Sequence, residues 1–455
     1  MTVGTMWGEG AESPPSWGQG SLGRGTGRAR EHGLAEENSR HHPRLTRRPL
    51  LLDNNQKSKF SMRYAIFPSS QSARRQLLLL LVIVPVVLSL AGCAGGPGFL
   101  PVPTPADVSL DVKIGQMIMV GFRGLDVNDN SPIIRDIFDR HIGGVIIFNY
   151  DVPTSTPIRN IESPAQLKQL IAKLQAASPI PLLIAIDQEG GKVCRLKQSS
   201  GFPPTLSAQY LGSINDLSLT RRHAAQIAKI LARLGINLNL APIVDLNINP
   251  DNPIIGRLGR SFSADPNVVT VHAAEFIKAH HRYGVLCALK HFPGHGSSTG
   301  DSHLGLTDIT NTWSSNELIP YENLIREGLA DVIMTAHVYN ANLDAEFPTT
   351  LSKPILTGLL RKQLHFDGVI ISDCMQMRAI TDYYGFETAL RAAIEAGVDI
   401  ILIANNSVFD EDVASRAIAI IKKLIEEGKI SPQRINLSYR RIKKLKERLT
   451  PALTY

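Results

Sequence analysis

From about residue 108 the chain alternates short apolar runs with amphipathic stretches of helical period. The runs occupy 117–122, 145–148, 182–186, 238–243, 285–289, 332–334, 369–371 and 400–403. Short apolar runs of this kind read as strands packed on both faces. Between them, stretches such as 165–177, 219–234 and 267–283 repeat apolar residues at steps of three and four, the pattern of a helix with one buried face. Gly235, Gly284 and Gly397 stand near the ends of helical stretches just before the next run, a common helix stop. Eight β-then-α units in about 340 residues predict a (β/α)8 TIM barrel forming one domain over 108–455. A doubly wound open sheet is the alternative, but no glycine-rich dinucleotide turn follows the first run.

A barrel makes a sharp statement about chemistry, which belongs just past the C-terminal ends of the strands. Asp187 closes the third run and Asp245 follows the fourth. Lys290 and His291 end the fifth, His337 ends the sixth and Asp373 ends the seventh. Random placement would scatter such residues over loops and helix faces. Five successive strand ends carrying ionisable groups point to one polar pocket. Asp373 follows Gly368-Val369-Ile370-Ile371-Ser372, so its carboxylate is held on a rigid apolar strand, which suits a nucleophile attacking a sugar anomeric carbon. A helix N-cap is the plainer reading of the same residue.

The densest polar stretch runs from Lys290 to His303, with His291, His295, Asp301 and His303 set among Pro293, Gly294, Gly296 and Gly300. Asp301 and His303 are two residues apart, close enough for the carboxylate to orient the imidazole as a proton-transfer group near neutral pH. Lys290 reads as a Schiff-base amine or as a donor to substrate hydroxyls, and the absence of other aldolase-like features favours the donor. The three histidines are spaced by four and eight, but the loop is not helical and no matching carboxylate or Cys pattern accompanies them, so no metal site and no cofactor are expected.

Composition divides the chain. Residues 1–61 are rich in Gly, Ser, Arg and His and poor in aliphatics, a leader expected to be disordered or not translated at all. Met62 is the better start, because 62–93 carries Arg74-Arg75, an apolar run over 77–90 and then Leu90-Ala91-Gly92-Cys93. That order fits a secretory signal, too short for a membrane span, although an uncleaved anchor is the plainer alternative. Leu-Ala-Gly-Cys resembles a bacterial lipobox, which implies cleavage before Cys93, a lipid on its thiol and a linker over 94–107. Residues 1–93 hold 12 of the 48 basic and 6 of the 41 acidic residues, leaving a net charge of +1 on the rest. The basic balance therefore belongs to the leader, and no nucleic-acid partner is expected. The locally basic C-terminal stretch, with Arg440, Arg441, Lys443, Lys444, Lys446 and Arg448 beside an apolar stripe, is expected to present a solvated outer face. Cys194, Cys287 and Cys374 are far apart and odd in number, with neither a disulfide framework nor metal spacing.

The mature part resembles glycoside hydrolase family 3, in particular the single-domain bacterial β-N-acetylhexosaminidases. The likeness is carried by Asp187-Gln188-Glu189-Gly190-Gly191 through Leu196, by Gly259-Arg260-Ser261-Phe262, and by Lys290-His291-Phe292-Pro293-Gly294-His295-Gly296. It continues in Asp301-Ser302-His303, Met334-Thr335-Ala336-His337 and Gly368 to Asp373. The resemblance implies Asp373 as nucleophile and His303 as general acid/base, with Asp301 orienting His303. Asp187, Arg195, Arg260, Lys290 and His291 would bind the sugar. Related β-glucosidases take their acid/base from a second domain, whereas this chain is expected to find it in the barrel.

What the resemblance implies is a retaining hydrolase, envelope-anchored through Cys93 and expected to be monomeric, that removes terminal N-acetylglucosamine from muropeptides or chitin-type saccharides without a cofactor. A β-N-acetylglucosaminide phosphorylase or a β-glucosidase on the same scaffold is the enzymatic rival. A non-catalytic sugar-binding envelope lipoprotein is the rival of another class. Three departures from the family pattern bear on loop position and substrate preference: Ser297-Ser298, Cys374 after the nucleophile, and Leu306-Thr307 after the histidine loop. Cys374 is either packed or a site of inhibitory oxidation. The Pro and Gly residues of the loop are expected to let it close over the sugar.

Overall fold

The computed structural model describes residues 108–449. The segments 1–61, 62–93 and 94–107, with Cys93 among them, lie outside the described residues. The eight expected runs form eight parallel strands: β1 (Ile118–Gly121), β2 (Gly144–Ile147), β3 (Leu183–Ile186), β4 (Leu238–Asn239), β5 (Leu286–Phe292), β6 (Val332–Thr335), β7 (Val369–Ile371) and β8 (Ile401–Ile403). The hydrogen-bonded order is β7-β6-β5-β4-β3-β2-β1-β8. A parallel bridge between Ile371 and Ile400, with Ser372 N donating to Ile400 O and Ile400 N to Ile370 O, joins β7 to β8. The sheet therefore closes into a TIM barrel, and every residue of every barrel strand is buried. Burial on both faces is why the strands read as continuous apolar runs rather than alternating ones.

The helices sit where the periodic stretches placed them. They include α1 (Leu110–Gln116), α2 (Pro132–Phe138), α3 (Pro164–Ala176), α4 (Ala208–Ile214), α5 (Leu217–Leu234), α6 (Pro266–His281) and α7 (Ile319–Arg326). Beyond them come α8 (Pro354–Gln363, wound with wide π-type turns), α9 (Arg378–Tyr384), α10 (Phe386–Ala396), α11 (Val413–Glu426) and α12 (Pro432–Lys446). Their starts are written locally. Ser163, Asp265 and Ser431 each accept a backbone N–H as N-cap, and each is followed by a proline, which gives up no helical bond at that position. Gly235 ends α5 with φ of 86°, a conformation costly for any residue with a side chain.

Two expectations change. The fourth run was expected over 238–243, but β4 stops at Asn239, and Pro242, three residues on, has no N–H to give the ladder. Pairing resumes as one bridge, Ile243 to Lys290. The fifth run was read over 285–289 with Lys290 and His291 at its end; β5 takes in both and continues to Phe292.

The basic C-terminal stretch is only in part the solvated face expected: Arg440, Lys444 and Arg448 are exposed, but other cations of the stretch turn inward. Buried Asp399 binds Arg361 of α8 at 2.5 Å, and Arg434 at 3.2 Å and Ser438 at 2.7 Å, both of α12. Arg441 stands 3.6 Å from the same carboxylate. Arg448 pairs at 2.6 Å with Asp331, also fully buried, and Lys446 is buried with its Nζ donating to Gln116 Oε1 at 2.7 Å. Arg434 and Arg441 of α12, with Arg448 just beyond it, therefore neutralise acids that precede β6 and β8. These acids lie at the end of the barrel opposite the strand C-termini.

Candidate active site

At the C-terminal ends of the strands lies a cavity of about 910 Å³, counting its open mouth. Seven of the eight sequence-predicted site residues line it: Asp187, Arg195, Arg260, Lys290, His291, His303 and Asp373. Asp301, the eighth, stands behind His303, its Oδ1 2.7 Å from His303 Nδ1 and 2.9 Å from the His303 backbone N–H. A carboxylate can only accept, so Nδ1 carries the proton. Burial would raise the Asp301 carboxyl, but the bonds from His303 outweigh it and hold it below its ordinary value.

One wall is built from charge pairs. Lys290 Nζ lies 2.8 Å from Asp187 Oδ1 and 2.7 Å from Glu189 Oε1. Arg195 donates to Asp187 Oδ2 at 3.1 Å, and Arg260 grips Glu189 with two bonds of 2.8 Å. Such fork-to-fork pairing fixes the planes of both groups. Asp187 is half-buried at the cavity and Glu189 is buried behind it; burial pushes both carboxyls up, yet the neighbouring cations outweigh it and hold both below their usual range. The wall is thus an ionised surface of hydrogen-bonding groups.

Asp373 sits past the end of β7 with Oδ1 accepting the Cys374 N–H at 2.7 Å. Burial pushes its carboxyl up, and His337, His291 and His303 together outweigh that, so it is held low and ionised. His337 is fully buried, its Nε2 donating to the Cys374 carbonyl at 2.9 Å and its Nδ1 2.8 Å from Thr350 Oγ1, which pins the turn carrying Asp373. Asp245, counted among the polar strand ends, does not line the cavity. It is 1 % exposed and accepts from the His291 backbone N–H at 3.1 Å, His291 Nδ1 at 2.8 Å and the His295 backbone N–H at 2.8 Å. Its work is to aim His291 and to anchor the start of the histidine loop.

The loop glycines have a different task from mobility. A side chain on Gly296 would stand 1.6 Å from Leu246 O, and one on Gly294, at φ of 126°, would meet Glu317 at 2.6 Å. Residues 292–298 are buried, folded against the segment after β4 at Leu246 and against Glu317. Cys374 also lines the cavity, but burial raises its thiol to about 11, which leaves little thiolate for oxidation. Cys287 is fully buried core inside β5. Among the described residues no three His, Cys, Asp or Glu side chains stand together as a metal set.

The sequence reading passed over three groups. Glu189 lies two residues beyond Asp187 in an extended segment, a spacing that puts both side chains on one face, so its signal was present. His295 was noted only for its spacing, and its bonds to Ser298 and Ser302 depend on the folded loop. Glu317 precedes α7 in an ordinary Ser-Asn-Glu-Leu helix start, yet it is fully buried and accepts the Gly296 N–H at 3.2 Å. Burial, with Asp245 adding, pushes its carboxyl up to about 7.

The family model described as the glycosyl hydrolase family 3 N terminal domain matches residues 109–445. The chain belongs to glycoside hydrolase family 3. It is 36% identical over 387 residues to a β-hexosaminidase A of Pseudoalteromonas piscicida, covering 76% of this chain and 62% of that protein. It is 33% identical to the β-hexosaminidase LpqI of Mycobacterium tuberculosis, covering 70% of this chain and 78% of that one. Among solved structures, a family 3 β-N-acetylglucosaminidase from a Paenibacillus strain superposes with a TM-score of 0.69 at 36% identity, over 76% of this chain and 65% of the other. The chain thus spans less than two thirds of the Pseudoalteromonas and Paenibacillus proteins. The barrel and the family match cover the same stretch.

Proposed function

We propose that this protein is a retaining β-N-acetylhexosaminidase, releasing terminal β-linked N-acetylglucosamine from cell-wall or chitin-type saccharides. The observation that carries the reading is that an ionised carboxylate and a carboxylate-backed imidazole face one sugar-sized cavity, Asp373 from β7 and His303 from the loop after β5. In the first step Asp373 attacks the anomeric carbon while His303 Nε2–H protonates the departing glycosidic oxygen, and a glycosyl-enzyme ester forms. In the second, neutral His303 takes a proton from water, water displaces Asp373, and the sugar leaves with its original β configuration. Asp301 supports the imidazolium stage by holding Nδ1–H and offsetting the positive charge. Asp187, Arg195, Arg260, Lys290 and His291 bind the sugar, their orientation set by the pairs around Glu189 and Asp245. An imidazole acid avoids a second anion beside Asp373, whereas most retaining enzymes use two carboxylates.

Water is favoured over phosphate as the acceptor. The cations lining the cavity are Arg195, Arg260 and Lys290, and each is engaged by Asp187 or Glu189. The test is a panel of 4-nitrophenyl β-glycosides with and without phosphate, with the released sugar identified. Preference for the N-acetylglucosaminide and free N-acetylglucosamine as product in both buffers support the reading. Preference for the β-glucoside, or a sugar 1-phosphate as product, overturns it. Envelope anchoring through a lipid on Cys93 completes the proposal, resting on the lipobox-like sequence alone. Labelled palmitate incorporated by the native chain but not by Cys93→Ser tests that part separately.

A further inference from the structure

His295 is 1 % exposed, lines the cavity, and has no place in the reaction just described. Its ring joins two hydroxyls of its own loop, with Nδ1 2.8 Å from Ser298 Oγ and Nε2 3.1 Å from Ser302 Oγ. Ser302 is the residue between Asp301 and His303. The proton positions can be worked out. Ser298 Oγ donates to Gly300 O at 3.2 Å and accepts from Asn252 Nδ2 at 3.0 Å. Its one proton is spent, so it accepts from His295 as well, and Nδ1 carries the imidazole proton. Burial holds the ring's pKa at about 4, with His291 and His303 adding to the effect and Asp245 opposing it. The ring is therefore neutral at ordinary pH, Nε2 presents a lone pair, and Ser302 donates to it.

The far end of this tether is firm. His295 N–H donates to Asp245 at 2.8 Å, Asn252 donates to His295 O at 2.8 Å, and Asn252 in turn caps the backbone N–H groups of Ile254 and Ile255 at 2.9 Å. Asp245 and Asn252 lie between β4 and α6, so the tether reaches from that region of the barrel to the middle of the Asp-Ser-His triplet. Without it, the link from Ser298 to His303 runs through Thr299 and Gly300, of which Thr299 is exposed and Gly300 half-buried.

We propose that His295 and Ser302 are positioning residues, a neutral imidazole and its hydroxyl donor that fix where His303 Nε2 stands over the glycosidic oxygen. The inference rests on the acid/base role given to His303. Positioning matters most where proton transfer matters most. General acid help is worth about 10²–10⁴-fold for a poor leaving group and little for one that departs as a stable anion. A shift of about 1 Å can cost roughly 10²-fold.

The test compares kcat/KM on N,N′-diacetylchitobiose and on the 2,4-dinitrophenyl β-N-acetylglucosaminide for the wild type, His303→Ala, Ser302→Ala and Ser302→Thr. Ser302→Ala is expected to lose about 10- to 100-fold on the disaccharide, mostly in kcat, and less than about 3-fold on the dinitrophenyl substrate. Ser302→Thr keeps the hydroxyl and is expected to restore most of the loss. Equal losses on both substrates for Ser302→Ala would mean a merely structural role and would overturn the proposal, as would disaccharide activity close to wild type. If His303→Ala itself shows no dependence on leaving group, the acid/base assignment fails and the tether falls with it. If His303→Ala behaves as an acid/base variant while Ser302→Ala does not, only the tether is refuted.

Discussion

Replacing Gly296 by Ala adds one methyl group at the most crowded point of the histidine loop. Built on the present backbone, the new carbon lies 1.6 Å from Leu246 O, 2.7 Å from Leu246 C and 3.1 Å from Leu246 N. These are backbone atoms next to Asp245 and cannot rotate away. Reaching even 3.0 Å from the oxygen requires a displacement of roughly 1.4 Å, shared between the loop and the segment that follows β4. The bonds from Gly296 N to Glu317 and from Asn249 N to Gly296 O, both 3.2 Å, lie on the moving segment. Overpacking of this kind costs about 1–3 kcal/mol, a melting shift of a few degrees in a domain this size. Misplacing the loop that carries His303 by about 1 Å costs roughly 10²-fold in rate. The expected result is a folded protein by circular dichroism, melting a few degrees lower, with kcat on diacetylchitobiose down by about two orders of magnitude. Gly305→Ala is the control, since nothing lies within 4 Å of its added carbon, and it should match wild type in both measurements. A Gly296→Ala enzyme within about 3-fold of wild-type kcat would refute the claim that close packing of this loop sets the catalytic geometry.

Three further outcomes are expected. Lys446 is held down to about 7 by burial, so between that value and its unfolded value near 10.5 the unfolded chain binds one more proton than the folded one. Stability should therefore rise with pH across that window, by at most about 1.4 kcal/mol per pH unit, and Lys446→Met should flatten the slope in urea titrations; an unchanged slope would contradict this. Glu317 acts in the opposite sense, since its folded value is raised to about 7 from 4.5. Its contribution is complete below about pH 4.5 and is lost as pH rises through 7, so Glu317→Gln should remove a stability decline over pH 5–7, and a decline persisting in the variant would exclude Glu317 as its source. Cys374, with its thiol near 11, should resist iodoacetamide at pH 7.5, read as intact mass and unchanged activity after an hour; rapid single alkylation with loss of activity would show a reactive thiol instead.

Much of the scaffold was legible because barrel strands are packed on both faces and advertise themselves as apolar runs. The site was legible for a related reason, since a parallel barrel gathers its strand ends, so Asp187, Lys290 and Asp373 could be brought together across 187 residues of chain. What stayed hidden depends on non-local partners. The basic C-terminal pattern reads as a wet surface until Asp331 and Asp399, their side chains 0 % exposed, are seen to receive part of it. Pro and Gly in the histidine loop suggest motion, but Gly296 is there because Leu246 O leaves no room for a side chain. Glu317 carries no local sign that it will be buried beneath that loop.

The central claim is that Asp373 attacks the sugar and that His303 serves the steps on either side. It is tested most directly by trapping the intermediate with 2-acetamido-2-deoxy-5-fluoro-β-D-glucopyranosyl fluoride, followed by peptide mass mapping. One added fluorosugar is expected on the peptide containing Asp373, accumulating further in His303→Ala because breakdown of the ester needs the base. A label on any other residue would contradict it, and so would an enzyme that turns over natural disaccharide with inversion and forms no adduct.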